Sequence, residues 1–282
     1  MDVVDLFCGV GGFSCGAREA GCEPVYGVDC CADALCLWRG NTGADGCVAC
    51  LFEDEFKVPA GAHVHLSPPC TALSKASRKA EAAVDEGLSA VRAALDLVLA
   101  RGDSWSLENV STPATRALLD EYAAAHPDSI AYLVVDASNF GVPSSRVRLI
   151  AGPPRLVREL QRTPVTRTSV EQAFAARGMA LPARYLRNTT RTKARVRCVR
   201  PVDGPSHTQT ASHPLVWCDA HGETVRCATV DETRVLMGFP SDWLLPVRVR
   251  DAFRALGNAI PPPLAKAIMR AALTASDASV SS

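Results

Sequence analysis

The chain has no stretch of about 20 apolar residues, the length a helix needs to cross a bilayer, so no membrane association is expected. Its N-terminus, Met1-Asp2-Val3-Val4-Asp5, puts no basic residue ahead of the apolar ones and is not read as a secretory signal. An intracellular location follows as an expectation: nuclear in a eukaryote, cytoplasmic in a bacterium or virus. Aromatic residues are scarce at 6%, but 48% of the chain is apolar, which excludes a disordered polymer. Twelve cysteines lack a repeating spacing, and without an export signal they are expected to be reduced thiols. Cys47-Val48-Ala49-Cys50 has no second such pair nearby, so no metal is expected.

Net charge is also absent, but the balance hides an asymmetry. Between Arg155 and Arg200 lie eleven Arg and Lys193 against only Glu159 and Glu171, a local charge of +10 in a neutral protein. Thr, Ser, Asn and Tyr are interleaved. Such a block suits a polyanion, and nucleic acid is favoured over a merely solvated basic face.

At 282 residues the chain is one large domain, alone or with a smaller appendage. Val3–Phe7 reads as a buried strand, Cys8–Gly12 as a glycine loop, and Phe13–Ala20 as a helix closed by Gly21. Ser14 stands where a dinucleotide fingerprint has its third glycine, so a ligand without phosphates suits the loop better. Val25–Asp29 reads as a second strand ending in a carboxylate that can take ribose hydroxyls. Further strands are expected near Cys47–Leu51 and Val64–Leu66, and a helix at Glu81–Ala100.

Ser67-Pro68-Pro69-Cys70 follows the fourth strand. Two prolines fix the backbone, so Cys70 sits at a rigid corner suited to a held nucleophile. Ser104–Val110 reads as a strand carrying Glu108 and Asn109, and Ile130–Val135 as another. Ser144–Ile150 reads as a strand with Arg146 and Arg148 on one face, a pair suited to a planar, carbonyl-rich ligand. Pro153-Pro154 marks a boundary, beyond which the basic block shows little periodicity. His207–Thr210 and Pro214–Trp217 read as short strands, Thr229–Met237 as a helix capped by Asp231, and Leu264–Leu273 as the last helix, with fraying from Thr274. The expected division is 1–152, 153–225 and 226–282.

These pieces together resemble the cytosine-5 DNA methyltransferase family. Asp5-Leu6-Phe7-Cys8-Gly9-Val10-Gly11-Gly12-Phe13-Ser14 is similar to its S-adenosylmethionine motif. Pro68-Pro69-Cys70 resembles the nucleophile motif, and Glu108-Asn109-Val110 the Glu-Asn-Val motif. Ser144-Ser145-Arg146-Val147-Arg148 resembles Gln-x-Arg-x-Arg, and Gly257-Asn258-Ala259-Ile260-Pro261-Pro262 the last motif. All five stand in the family's order. Thr71 replaces the usual Gln after the cysteine, and Ser144 replaces the first Gln of the arginine motif. The acid that usually meets the adenine is replaced near that position by Cys50, with Asp54 a few residues on.

The resemblance implies an α/β fold: a doubly wound mixed sheet of the Rossmann-like methyltransferase type, with a small, irregular target-recognition domain inserted at 153–225. It implies an enzyme that moves the methyl of S-adenosylmethionine to carbon 5 of a flipped cytosine in double-stranded DNA, acting as a monomer. Cys70 is then the nucleophile, Glu108 bonds the ring nitrogen and amino group, and Arg146 and Arg148 hold the carbonyl. Phe7, Gly9, Val10, Gly11, Gly12, Asp29, Cys30, Pro69, Asn258 and Ala259 hold the cofactor. Lys75, Arg78 and Lys79 close over DNA. Alternatives are the same chemistry on transfer RNA, a nucleotide-dependent oxidoreductase, and a silent DNA-binding scaffold.

Overall fold

The computed structural model describes residues 1–50, 58–69, 73, 81–102, 104–188 and 199–280. They form two compact units. The first takes in Met1–Val135, Val147–Thr163 and Ala265–Ser282; the second takes in Asp136–Arg146 and Pro164–Leu264.

The first unit is built on a seven-stranded sheet. Its strands are β1 (Asp2–Leu6), β2 (Glu23–Asp29), β3 (Asp45–Val48), β4 (His63–Leu66), β5 (Trp105–Asn109), β6 (Ala131–Asp136) and β7 (Val147–Gly152), in the spatial order β3-β2-β1-β4-β5-β7-β6. From β3 to β5 all neighbours are parallel, whereas β7 is antiparallel to β5. The sheet is therefore mixed, as expected. Strands β4 and β5 are buried along their whole length, as parallel strands covered on both faces must be. The helices are α1 (Gly12–Glu19), α2 (Ala32–Thr42), α3 (Glu81–Arg101), α4 (Pro113–Ala125) and α5 (Pro154–Arg162). Helix α4 starts on Thr112, whose hydroxyl accepts the Thr115 N–H at 3.2 Å, with Pro113 in the first turn where its missing donor is harmless.

Helix α5 begins directly after the boundary read at Pro153. Leu156, Val157 and Leu160 are buried, so the basic block begins with an amphipathic helix belonging to the first unit, and the chain leaves that unit at Pro164.

The second unit has α6 (Val170–Ala175) and a four-stranded antiparallel sheet of β8 (Tyr185–Arg187), β9 (Val199–Pro201), β10 (Val216–Cys218) and β11 (Thr224–Cys227), ordered β11-β10-β8-β9. Helices α7 (Val230–Met237), α8 (Val249–Asn258) and the start of α9 (Pro262–Val280) follow. Its core gathers Val170, Phe174, Leu186, Leu215 and Trp217; Phe174 meets the indole edge-on at a centroid distance of 5.4 Å. The strand read at His207–Thr210 does not form. The cap of α7 is Thr229 rather than Asp231, because Thr229 and Glu232 form a reciprocal capping box. The frayed end read from Thr274 is instead helical to Val280.

Candidate active site

The glycine loop is shaped by three left-handed residues. Gly9 (φ 53°) and Gly11 (φ 85°) adopt that conformation at no steric cost, but Phe7 (φ 62°) is a bulky residue held there against its preference. The loop is locked from β2: one carboxylate oxygen of Asp29 accepts the Gly9 N–H at 2.8 Å and the other accepts the Cys31 N–H at 2.8 Å. Each oxygen keeps a further lone pair for a ribose hydroxyl. A Cβ on Gly9 would meet nothing within 4 Å, which leaves open space at the turn. Phe7 and Asp29 are half-buried, and Val10, Gly11 and Gly12 are buried. Cys30 is an exposed free thiol next to Asp29. An open turn with a carboxylate behind it fits a nucleoside-bearing cofactor.

Beneath the loop, the position without the third glycine has a different task. Ser14 donates to Asp5 Oδ2 at 2.6 Å and accepts the Trp38 indole N–H at 2.8 Å. Burial pushes the Asp5 carboxyl up to about 7 against the lowering effect of these hydrogen bonds. Cys8 packs on Leu35 and Trp38, and burial pushes its thiol well above the usual range, so it is an inert core cysteine. Sequence patterns missed this layer because a buried Ser–Asp bond has no period of its own.

At the C-terminal end of the sheet, β7 brings Arg148 to Glu108. Ile150 lies opposite Glu108, so Arg148, two residues away, is its diagonal neighbour on the same face. Arg148 Nε stands 2.7 Å from Glu108 Oε1, and both side chains are buried. The contact lies off the N–H direction, so Oε1 has no aligned hydrogen-bond donor. Arg148 Nη1 is held by the Val147 carbonyl at 2.7 Å. The next residue, Asn109, donates from Nδ2 to the Pro68 carbonyl at 3.1 Å. This ties the Glu-Asn motif to the proline corner, of which Pro68 is buried and Pro69 exposed. Cys70, Asp54, Lys75, Arg78 and Lys79 lie outside the described residues.

Arg146 does not share a strand face with Arg148, because β7 begins only at Val147. It belongs to the second unit, where its buried guanidinium donates to the carbonyls of Gln209, Gly257 and Ala259 at 3.1, 2.8 and 3.1 Å. Its own N–H goes to Asp136 Oδ1 at 2.8 Å. Partial burial raises Asp136, but its hydrogen bonds from Ser138, Ser145 and Arg146 outweigh that and hold it below the usual range. Ser144, in place of the expected Gln, donates to the His207 carbonyl at 2.8 Å. Asn258 is exposed at the end of α8, and Ala259 follows it half-buried.

Residues 1–172 and 154–274 match the C-5 cytosine-specific DNA methylase family. The chain is 28% identical over 295 residues to the type II methyltransferase M.HgiDI of Herpetosiphon aurantiacus, covering 94% of this chain and 92% of that one. It is 26% identical over 299 residues to M.AplI of Arthrospira platensis, covering 95% and 84%. Among solved structures, a prophage-encoded candidate DNA modification methyltransferase (E. coli) superposes with a TM-score of 0.66 at 18% identity, over 98% of this chain and 99% of that one. The S. pombe Dnmt2 methyltransferase gives 0.64 at 14% identity, over 97% and 98%. These two likenesses bear on the fold.

Proposed function

Because the chain belongs to the C-5 cytosine-specific DNA methylase family, we propose that it methylates carbon 5 of a cytosine flipped out of duplex DNA through a covalent adduct with Cys70. Carbon 5 of cytosine is a weak nucleophile. Addition of the Cys70 thiolate to carbon 6 turns the ring into an enamine whose carbon 5 attacks an electrophile. S-adenosylmethionine, when bound, supplies that electrophile as a sulfonium methyl.

The observation that supports this most is the buried Glu108–Arg148 pair with an oxygen lacking an aligned donor. A carboxyl there is suited to bond the pyrimidine's ring nitrogen and amino group, and the arginine to meet charge building on its carbonyl. Asn109 would keep this pair in register with the corner that carries Cys70. Phe7, the Cys8–Gly12 loop and Asp29 would hold the adenosine part of the donor. Arg146 is better suited to a positioning role, since its Nη1 and Nη2 donate to main-chain carbonyls that include those of Gly257 and Ala259. The target atom is inside the duplex, so the base must be extruded. Exposed arginines of the basic stretch, such as Arg155 and Arg167, would contact phosphates.

The test is bisulfite sequencing of duplex DNA treated with the protein and S-adenosylmethionine, with transfer RNA as a parallel substrate. Methylcytosine in DNA supports the reading, while modification of RNA alone overturns it. Cys70→Ser is expected to abolish transfer and retain cofactor binding; unchanged activity in that variant removes Cys70 as the nucleophile.

A further inference from the structure

Strand β4 carries two histidines in the middle of a sheet, among Val64, Leu66 and Leu107, all fully buried. Packing alone would place aliphatic residues there as well. Instead His63, His65 and Ser106 are completely buried and form the middle of a continuous chain. His63 Nδ1 lies 2.8 Å from Ser104 Oγ, and its Nε2 lies 2.9 Å from Ser106 Oγ. His65 Nδ1 lies 2.8 Å from the same Ser106 Oγ, and its Nε2 lies 2.9 Å from Ser67 Oγ. Every imidazole nitrogen is used, and the order is Ser67–His65–Ser106–His63–Ser104. Phe13 of α1 lies flat on His65 at a centroid distance of 3.5 Å and fixes the ring plane. The two ends, Ser67 and Ser104, are only half-buried. Ser67 follows the C-terminal end of β4, and Ser104 precedes the N-terminal end of the parallel strand β5, at the opposite end of the strands.

We infer that this chain is a proton relay that carries the proton lost from carbon 5 of the cytosine away from the reaction centre. The inference rests on the methyl-transfer reading above. Ser67 stands three residues before Cys70 in the sequence. When the adduct collapses, the electrons of the C5–H bond re-form the C5–C6 double bond. The C6–S bond breaks with its electron pair returning to sulfur, and the proton must leave.

A neutral imidazole has one N–H and one bare nitrogen, so the chain has two polarities. In the first, Ser67 donates to His65 Nε2, His65 Nδ1–H to Ser106, Ser106 to His63 Nε2, and His63 Nδ1–H to Ser104. A proton arriving at Ser67 shifts every hydrogen by one bond, both histidines change tautomer, and Ser104 releases a proton at the far end of the strands. No group is left charged after this single transfer, which leaves the chain in its second polarity.

Both histidines must be neutral for this. Burial pushes His63 down to about 3, and burial together with His63 holds His65 well below its usual range. The acidic group facing the chain from β1 is Asp5, the register partner of His65, whose carboxylate accepts the Ser14 hydroxyl. From α1, Ser14 and the uncharged Phe13 face the same layer.

The test uses the full-length protein in single turnovers on two duplex DNAs. One carries cytosine tritiated at carbon 5, which reports proton loss. The other carries 5-fluorocytosine, which accepts thiolate and methyl but cannot lose fluorine as a cation, so it traps the adduct. Ser106→Ala breaks the chain at its middle. It is expected to slow tritium release about 100-fold, the low end of a positioned proton-transfer effect, while trapping proceeds at the wild-type rate. Ser106→Thr restores the hydroxyl and is expected to restore release. His65→Gln retains an amide donor and acceptor but has no second tautomer, so it should behave as Ser106→Ala and serves if that variant does not fold. Loss of trapping and release together would make the network purely structural, and unchanged release would remove the relay. A wild-type protein that traps nothing would overturn the adduct chemistry itself.

Discussion

Asn109 Nδ2 donates to the carbonyl of Pro68 across 3.1 Å, so the residue after Glu108 holds the peptide two places before Cys70. Both ends of the Asn109 amide are used, since Oδ1 accepts the Val110 N–H at 2.8 Å. Asn109 is fully buried, so neither bond can be exchanged for one to water. Asn109→Ala is expected to lower stability by about 1–3 kcal/mol, the range for an orphaned buried acceptor. Asn109→Asp puts an acceptor against an acceptor and should lower kcat further, with cofactor affinity unchanged. Thermal unfolding alongside single-turnover methyl transfer checks this; equal kcat in both variants and the wild type would dissolve the link.

The buried ion pair makes a different prediction. Glu108→Ala strands the Arg148 charge in a dry site and should destabilise the protein by about 3–5 kcal/mol. Replacing both partners, Glu108→Leu with Arg148→Met, should recover most of that stability but no methyl transfer. Urea unfolding with a transfer assay separates the two effects. A double variant that regains activity would show that the pair only supports the fold.

The glycine loop and its flanking strands were legible because each local rule agreed: an apolar run, glycines where φ is positive, and a carboxylate closing β2. The Glu108–Arg148 contact was only half legible. Both residues stood out, but their meeting depends on β7 lying antiparallel beside β5, which spacing along the chain does not encode. Arg146 was misread because alternation was extended one residue ahead of the start of β7, into the part of the chain that belongs to the second unit. Helix α5 was hidden by its own charges, since three buried positions among arginines read as a basic run. His63 and His65 passed as an ordinary strand because their partners, Ser104 and Ser106, lie 41 to 43 residues away.

Gly257 is required by space rather than by φ. A Cβ there would stand 2.4 Å from the Thr210 carbonyl carbon and the Ala211 nitrogen, both main-chain atoms that cannot rotate away. Its carbonyl also accepts from Arg146. Gly257→Ala should therefore destabilise the second unit by about 1–3 kcal/mol, the usual range for overpacking. Hydrogen exchange would show it as faster exchange in α8 and the 206–213 segment, with β1, β4 and β5 unchanged. Uniform protection in the variant would mean that the backbone yields without strain.

Opposite linkage at Asp5 and at the histidine pair gives the stability a defined pH profile. His63 falls from its ordinary 6.5 to about 3 on folding, so below 6.5 the unfolded chain takes up a proton that the folded chain refuses. The stability is present above pH 6.5 and is lost as pH falls toward 3. His65 has the same sign. Asp5 rises from 3.8 to about 7, so the folded chain holds the extra proton, and its contribution is complete below 3.8 and lost as pH rises through 7. In the window from about 4 to 6.5 the two histidines outweigh the one carboxyl, and the protein should weaken as the solution is acidified. His63→Asn should reduce that slope by up to one proton, about 1.4 kcal/mol per pH unit. Asp5→Asn should gain on the wild type as pH rises from 4 to 7 and run parallel to it above. Urea midpoints measured at half-unit intervals from pH 4 to 8 decide both, and curves parallel to the wild type throughout would show that neither group changes its proton affinity on folding.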